Sequence, residues 1–252
     1  MFPKRLLTAI FLTVLLIVTV VNKSYSFGFY AHRKINRMAV FMLPPNMIAF
    51  YKKHIEYITE HALDPDKRSR IVIGEDKKHY IDIENYGDHP FDSIPLLWKD
   101  AVAKYSEDTL QQHGINPWWA NKMCYALTQA FKDEDLDKIL FISANLGHYI
   151  ADACTPLHTT KWYDGKTPGQ KGIHAFWETR IPELEADNYN YMLGRAEYIE
   201  KPYQYFWQII KQSHEETDTI FTIDSLLSKN FPEDKKFVFE ERAGILKKQY
   251  SP

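Results

Sequence analysis

Residues 148–158 read His-Tyr-Ile-Ala-Asp-Ala-Cys-Thr-Pro-Leu-His, and no other stretch constrains the fold as much. His148 and Asp152 are four apart, so a helix stacks their side chains on one face, one turn above the other. Asn145 falls on that face too, and Leu140, Ala144, Gly147 and Ala151 form an apolar stripe of mostly small residues beside it. The pattern predicts a helix over 135–154. It ends at Thr155-Pro156, because proline disfavours helix in the residue before it, and His158 is left just beyond. The same spacing returns in His174 and Glu178 on a second predicted helix. One His-x-x-x-Asp/Glu pair is common on solvated helices. Two pairs with His158 between them, inside 31 residues, form a donor set suited to a borderline metal such as Zn²⁺.

The rest of the chain is also mostly helical in period. Ile35, Met38, Ala39 and Met42 recur at three and four before Pro44-Pro45 stops the first helix, and a second opens at Asn46 and runs to about His61. Further helices are predicted at roughly 93–106, 117–131, 173–186, 189–229 (broken near Pro202) and 234–248. Residues 64–92 are polar and turn-rich around His79-Tyr80-Ile81-Asp82 and read as loop. No hairpin pattern, repeat or linker is visible. With 45% hydrophobic and 15% aromatic residues, the chain reads as all-α. The expected architecture is a single multi-helix domain with the metal site buried in a cleft between helices. Trp118 and Trp119, after Pro117, read as helix-start core. Cys124 and Cys154 both lie in apolar helical contexts; a bridge and two free thiols stay equally open.

The N-terminus reads as a targeting segment. Lys4 and Arg5 precede an apolar run from Leu6 to Val21, and Ser24 and Ser26 suit a cut after residue 26. The expected organisation is therefore a signal peptide over 1–26 and one domain over 27–252, exported to a periplasm or beyond the cell. The formal net charge is −2, from 31 basic and 33 acidic side chains. The leader holds three of the basic and none of the acidic ones, so the mature chain has 28 against 33. That balance excludes a domain that holds nucleic acid by bulk positive charge. After cleavage Phe27 becomes the terminus, and its α-amine and carbonyl can chelate a metal in a five-membered ring with His32 nearby.

Taken in order, Phe27-Gly-x-x-x-His32, Asp64…His79, His148-x-x-x-Asp152-x5-His158 and His174-x-x-x-Glu178 resemble the zinc-dependent phospholipase C and single-strand-specific nuclease superfamily. The resemblance runs from 27 to about 180. It implies a mainly helical fold holding three Zn²⁺. By matching position, Asp64, His79, His148 and Asp152 would hold one ion, and His158, His174 and Glu178 a second. The amine and carbonyl of Phe27, with His32 and a bridging Asp152, would hold the third. The sequence departs from the family at Phe27, where the family has Trp. Asp66 rivals Asp64, although the fifteen-residue gap to His79 favours Asp64. After 189 no motif is recognisable.

The expected activity is phosphodiester hydrolysis by zinc-activated water, with Asp64 as the catalytic residue that orients the nucleophile. The substrate is a phosphate ester. The short gap from Phe27 to His32 and the Asp64–His79 gap favour a nuclease-like reading, with single-stranded nucleic acid or a nucleotide as substrate. Glu178 and the short chain favour phospholipase C, the alternative. A reading of another class is a zinc-binding protein without catalysis. No obligate protein partner is evident. The loop from Thr159 to Gly172 carries Lys161, Trp162 and Tyr163, which could meet a base or a head group or form a solvated lid. Asp82 is a candidate to orient a ligand imidazole. His54, His61, His89, His113 and His214 read as structural or exposed.

Overall fold

The computed structural model describes residues 28–230 and the strands at 237–242 and 245–250. The segment 1–26, expected to be a signal peptide, and Phe27 lie outside the described residues. The central element is a helix at 136–153, and its sequence explains why. Asp135 caps its N-terminus by accepting from the Lys138 amide at 3.1 Å, which satisfies one of the orphan donors of the first turn. Eleven of its eighteen residues are buried, the pattern of a helix covered on most sides.

In chain order the helices are α1 (Phe29–Met42), α2 (Pro45–Lys53), α3 (Ile55–Glu60), α4 (Asp64–Ser69), α5 (Pro90–Ser93), α6 (Trp98–Tyr105), α7 (Glu107–His113), α8 (Asn116–Lys132), α9 (Leu136–Ala153) and α10 (Ile173–Ala175). A π turn over Phe176–Arg180 leads into α11 (Ile181–Glu185), followed by α12 (Pro202–Glu215) and α13 (Thr217–Asn230). Helix α9 packs along α8 and against α1, α3 and α12. Two apolar clusters flank it. One includes Val40, Ile58, Leu140 and Leu146; the other joins Ile81, Ile83, Trp118, Trp207 and Ile210. Trp118 and Trp207 meet edge to face at 5.0 Å, and their indole N–H groups donate to Pro95 O and Leu96 O. Trp118 is therefore core, as expected. Helices α1 and α9 approach closely at Gly147, where an added Cβ would sit 2.2 Å from Asn36 Oδ1. Asn36 Nδ2 uses that approach to donate to Ala144 O (2.9 Å) and Ile58 O (3.3 Å).

The all-α expectation holds, with local corrections. The supposed loop after residue 63 contains α4, which starts at Asp64 with Pro65 in its first turn, where proline's missing N–H costs nothing. The helix expected over 93–106 is the shorter α6, with α5 ending at Ser93 before it, and α7 follows, capped by Ser106 accepting from the Thr109 amide. Residues 189–200 are not helical; α12 begins at Pro202. The helix expected at 234–248 is instead an antiparallel hairpin of β1 (Phe237–Arg242) and β2 (Ile245–Tyr250), with Phe237 opposite Tyr250. Cys124 and Cys154 are free. Among the described residues no helix is long and apolar enough to cross a membrane.

Candidate metal centre

Helix α9 presents His148 and Asp152 on its inner face, both at 1% exposure or less, with His148 Nε2 3.3 Å from Asp152 Oδ2. The His148 ring is set from behind: Nδ1 donates to Ala62 O at 2.8 Å, leaving Nε2 for the interior. His79 comes from the turn after α4, and its Nδ1 lies 2.9 Å from Asp152 Oδ2 and 3.1 Å from His148 Nε2. Asp66 of α4 brings Oδ1 to 3.6 Å from His148 Nε2 and 3.8 Å from His79 Nδ1.

The other oxygen of Asp152 faces a second group. His32 of α1 stacks on His148 at 3.9 Å between centroids, and its Nε2 is 3.4 Å from both Asp152 Oδ1 and Glu178 Oε1. His158 donates from Nδ1 to His79 O at 2.9 Å and directs Nε2 to within 3.5 Å of Glu178 Oε1. His174 Nε2 is 3.0 Å from Glu178 Oε2. Their i,i+4 pairing passes through the π turn, a feature that recurs at functional sites. Gly28 closes the cluster on one side. Its amide donates to Thr179 Oγ1 at 2.7 Å, its φ is +75°, and a Cβ there would sit 2.7 Å from Glu178 Oε1.

Of the expected residues, His32, His79, His148, Asp152, His158, His174 and Glu178 meet in one volume, and Phe27 lies outside the described residues. Asp64 lies outside that volume. Its carboxylate is bound by His61 Nδ1 (2.6 Å) and Lys67 Nζ (3.0 Å), while Asp66 enters the cluster. Residues two apart on a helix point about 200° from one another, so α4 can deliver only one of them. Asn145 is not in the cluster either; it bonds Arg68 and Phe141 O. Asp82 does not orient His79; a carboxylate (Asp152) and backbone carbonyls (Ala62, His79) orient the cluster's imidazoles instead. His61 stacks on Tyr57 and His214 bonds Thr159 O, both structural uses.

The donors suit zinc. Overlapping groups of three form from His32, Asp66 and His148; His79, His148 and Asp152; His158, His174 and Glu178; and His32, Asp152 and Glu178. A tetrahedral ion with bonds of ~2.0–2.1 Å sets its ligands ~3.3 Å apart, close to the separations above. Several buried donor atoms have no hydrogen-bond partner: both nitrogens of His32, Asp66 Oδ2, His79 Nε2, Asp152 Oδ1, His158 Nε2 and His174 Nδ1. Buried polar atoms are otherwise almost always satisfied. Burial works against the charge on Asp152 and Glu178, yet the imidazoles around them hold both carboxyls well below the usual range. Burial likewise opposes a proton on His158, but Asp152 and Glu178 overcome it and lift the ring to about 9. Burial pushes His148 down, toward the neutral form that ligates.

A cavity of about 550 Å³ opens onto this cluster, lined by Asp66, His79, His158, His174 and Glu178 together with Tyr80, Asp82, Thr160, Lys161 and Tyr163. Glu84 shapes its far wall by accepting from the Thr160 hydroxyl and from the Lys161 amide at 3.1 Å. Spacing gave no sign of one further group. Glu75, 2% exposed, accepts from Arg68 (2.9 and 3.1 Å), from Lys78, and from Tyr149 OH at 2.6 Å. It ties α4, the His79 turn and α9 together.

Fold and site together define a helical protein with a buried multi-ligand metal centre at the base of an open cavity. The family model described as zinc dependent phospholipase C matches residues 31–237, and the chain belongs to that family. The match extends through 189–237, where no motif is visible by eye. No curated protein and no solved structure matches. The family supports zinc as the metal and phosphodiester hydrolysis as the chemistry. It does not support the nuclease-like substrate that the residue gaps favoured.

Proposed function

We propose that this chain is a phospholipase C-type phosphodiesterase that cleaves phospholipids and releases the phosphorylated head group. The observation that carries this reading is that the convergent donors of Asp66, His79, His158, His174 and Glu178 also line the open cavity. A structural zinc site would be closed by four protein ligands, so a purely zinc-binding role fits less well. Three ions are proposed, held by His32, Asp66, His79, His148, Asp152, His158, His174 and Glu178. Bound zinc supplies Lewis acidity that makes water available as a nucleophile near neutral pH, its pKa lowered to ~7. Asp66 takes the role expected for Asp64: burial raises its pKa, and its carboxyl, part of the cavity lining, can orient the attacking water and take its proton. Lys161, held by Glu84, offers the cavity a positive charge toward a phosphodiester.

Export and cleavage after Ser26 would add the amine and carbonyl of Phe27 to the site. Gly28, packed on Glu178 beside His32, supports that placement, and N-terminal sequencing of the exported protein tests it. The substrate test is a panel of phosphatidylcholine, single-stranded DNA, RNA and 3′-nucleotides, run with and without prior dialysis against EDTA. Phospholipid cleavage that chelation abolishes is expected. Cleavage of only the nucleic acids, or activity surviving chelation, would overturn the proposal.

A further inference from the structure

The turn after α4 carries an unusual exposure. Ile71, Val72 and Ile73 stand 82%, 43% and 104% exposed in sequence, and such apolar surface on a soluble domain usually marks an interaction site. The turn is not loose. The amides of Ile71 and Val72 both donate to Arg68 O (2.9 and 2.8 Å), and the Glu75 amide donates to Val72 O at 3.2 Å. Gly74 at φ +78° completes the reversal. The Arg68–Glu75 ion pair clamps its two stems. The aliphatic tip is thus held out by buried charge, and ordering it on binding costs little entropy.

Its position is specific. Ser69 on one stem and Asp76 on the other both line the catalytic cavity, so the tip stands on the rim. Tyr163 lines the same cavity at 59% exposure, and its neighbour Trp162 is 41% exposed beneath Lys161 Nζ at 5.1 Å from its ring centre. Aromatic rings beside lysine are the usual residents of a lipid–water boundary. A convex aliphatic tip offers no groove for a peptide, whereas a fluid acyl layer accepts it. Lys161 lines the cavity and offers a positive charge complementary to lipid phosphates.

We propose that the Ile71-Val72-Ile73 tip inserts into a phospholipid bilayer and, with the exposed Trp162, seats the cavity mouth on the membrane surface. This rests on the phospholipid reading of the site. The test uses the full zinc-loaded protein and an Ile71→Ser/Ile73→Ser variant, whose changes are at exposed positions outside the catalytic machinery. Partition is measured on vesicles of a non-hydrolysable phosphonate analogue of phosphatidylcholine. Initial rates are measured on phosphatidylcholine vesicles and on dihexanoylphosphatidylcholine below its micelle threshold. Each isoleucine withdrawn should weaken partition roughly tenfold. The vesicle rate should fall with it, while the rate on monomeric lipid stays unchanged. Equal partition of the two proteins overturns the proposal, as does a parallel loss on monomeric lipid. A wild-type dimer dissolved by the variant, with no vesicle binding, assigns the tip to a second copy instead. Failure of the wild type to cleave either lipid sinks the phospholipase reading alone, since partition is scored without turnover.

Discussion

Asp64 and Asp66 stand two residues apart on one short helix, and replacing each by asparagine separates what spacing suggested from what the fold delivers. Asp64 is tied to His61 and to exposed Lys67 at the surface, and pairs of that kind contribute about 0.2–1 kcal/mol. Asp64→Asn should therefore lower the melting temperature slightly and leave zinc content and turnover intact. Asp66 is 23% exposed, on the cavity wall, with Oδ1 3.6 Å from His148 Nε2 and Oδ2 free of hydrogen bonds. A group that positions or deprotonates the nucleophile contributes about 10²–10⁴ in rate, and a lost anionic donor weakens metal binding besides. Asp66→Asn should thus cut kcat by at least about a hundredfold and reduce zinc per chain, with the helix content unchanged. Initial rates on a water-soluble phosphodiester and plasma emission analysis of zinc read both effects. An inactive Asp64→Asn beside an active, fully loaded Asp66→Asn would refute the assignment and restore the spacing argument.

Two further perturbations test the frame around the site. Gly147→Ala forces a methyl group to 2.2 Å from Asn36 Oδ1, and overpacking of this kind costs about 1–3 kcal/mol; since Asn36 lies on the helix that carries His32, the melting temperature and zinc content should fall together, and a variant as stable as wild type would refute the close approach. Asp82 is the pH probe. Burial first, then the Glu84 charge, raise its carboxyl from 3.8 to about 6, so the folded protein holds its proton more tightly than the unfolded chain does. Stability from this group is greatest below pH ~4 and falls as pH rises toward ~6. Asp82→Asn should accordingly raise the melting temperature at pH 8 and leave it unchanged at pH 3.5. After allowance for the side chain's partial exposure, the gain is about 1 kcal/mol. An equal gain at both pH values would refute the assignment.

What could be read in advance divides along a physical line. His148 with Asp152, and His174 with Glu178, are local pairs whose geometry follows from helix pitch, and Thr155-Pro156 announces where α9 must stop. The choice between Asp64 and Asp66 depends on the phase of a helix that begins at a proline, and a polar stretch has no apolar stripe to fix that phase. Glu75 is recruited by Arg68 from seven residues away and by Tyr149 from seventy-four, and no periodicity encodes such a partnership. At the C-terminal end, the strand signal is the run of β-formers Phe237-Val238-Phe239, and three apolar residues alone do not separate a strand from a helix. Residues 189–200 carry helix formers, but Gly194 at φ +85° interrupts them.

Catalytic and structural roles are not separable along α9, because the helix that forms the spine of the core also provides the two most buried donors. Asp152 gives one oxygen to His79 and His148 and the other to His32 and His158, and Glu178 divides its oxygens between His174 and the His32–His158 pair. Three carboxylates and five imidazoles in one largely buried volume are tolerable only if cations or protons balance the charge, since an unpaired buried carboxylate costs several kcal/mol. Metal binding and folding must then be linked, and loss of Asp152 removes stability along with activity. Asp66 differs because it sits on the cavity wall at the start of a peripheral helix. Its loss strips the reacting face while leaving α9 packed, which makes it the position where chemistry can be measured apart from the fold.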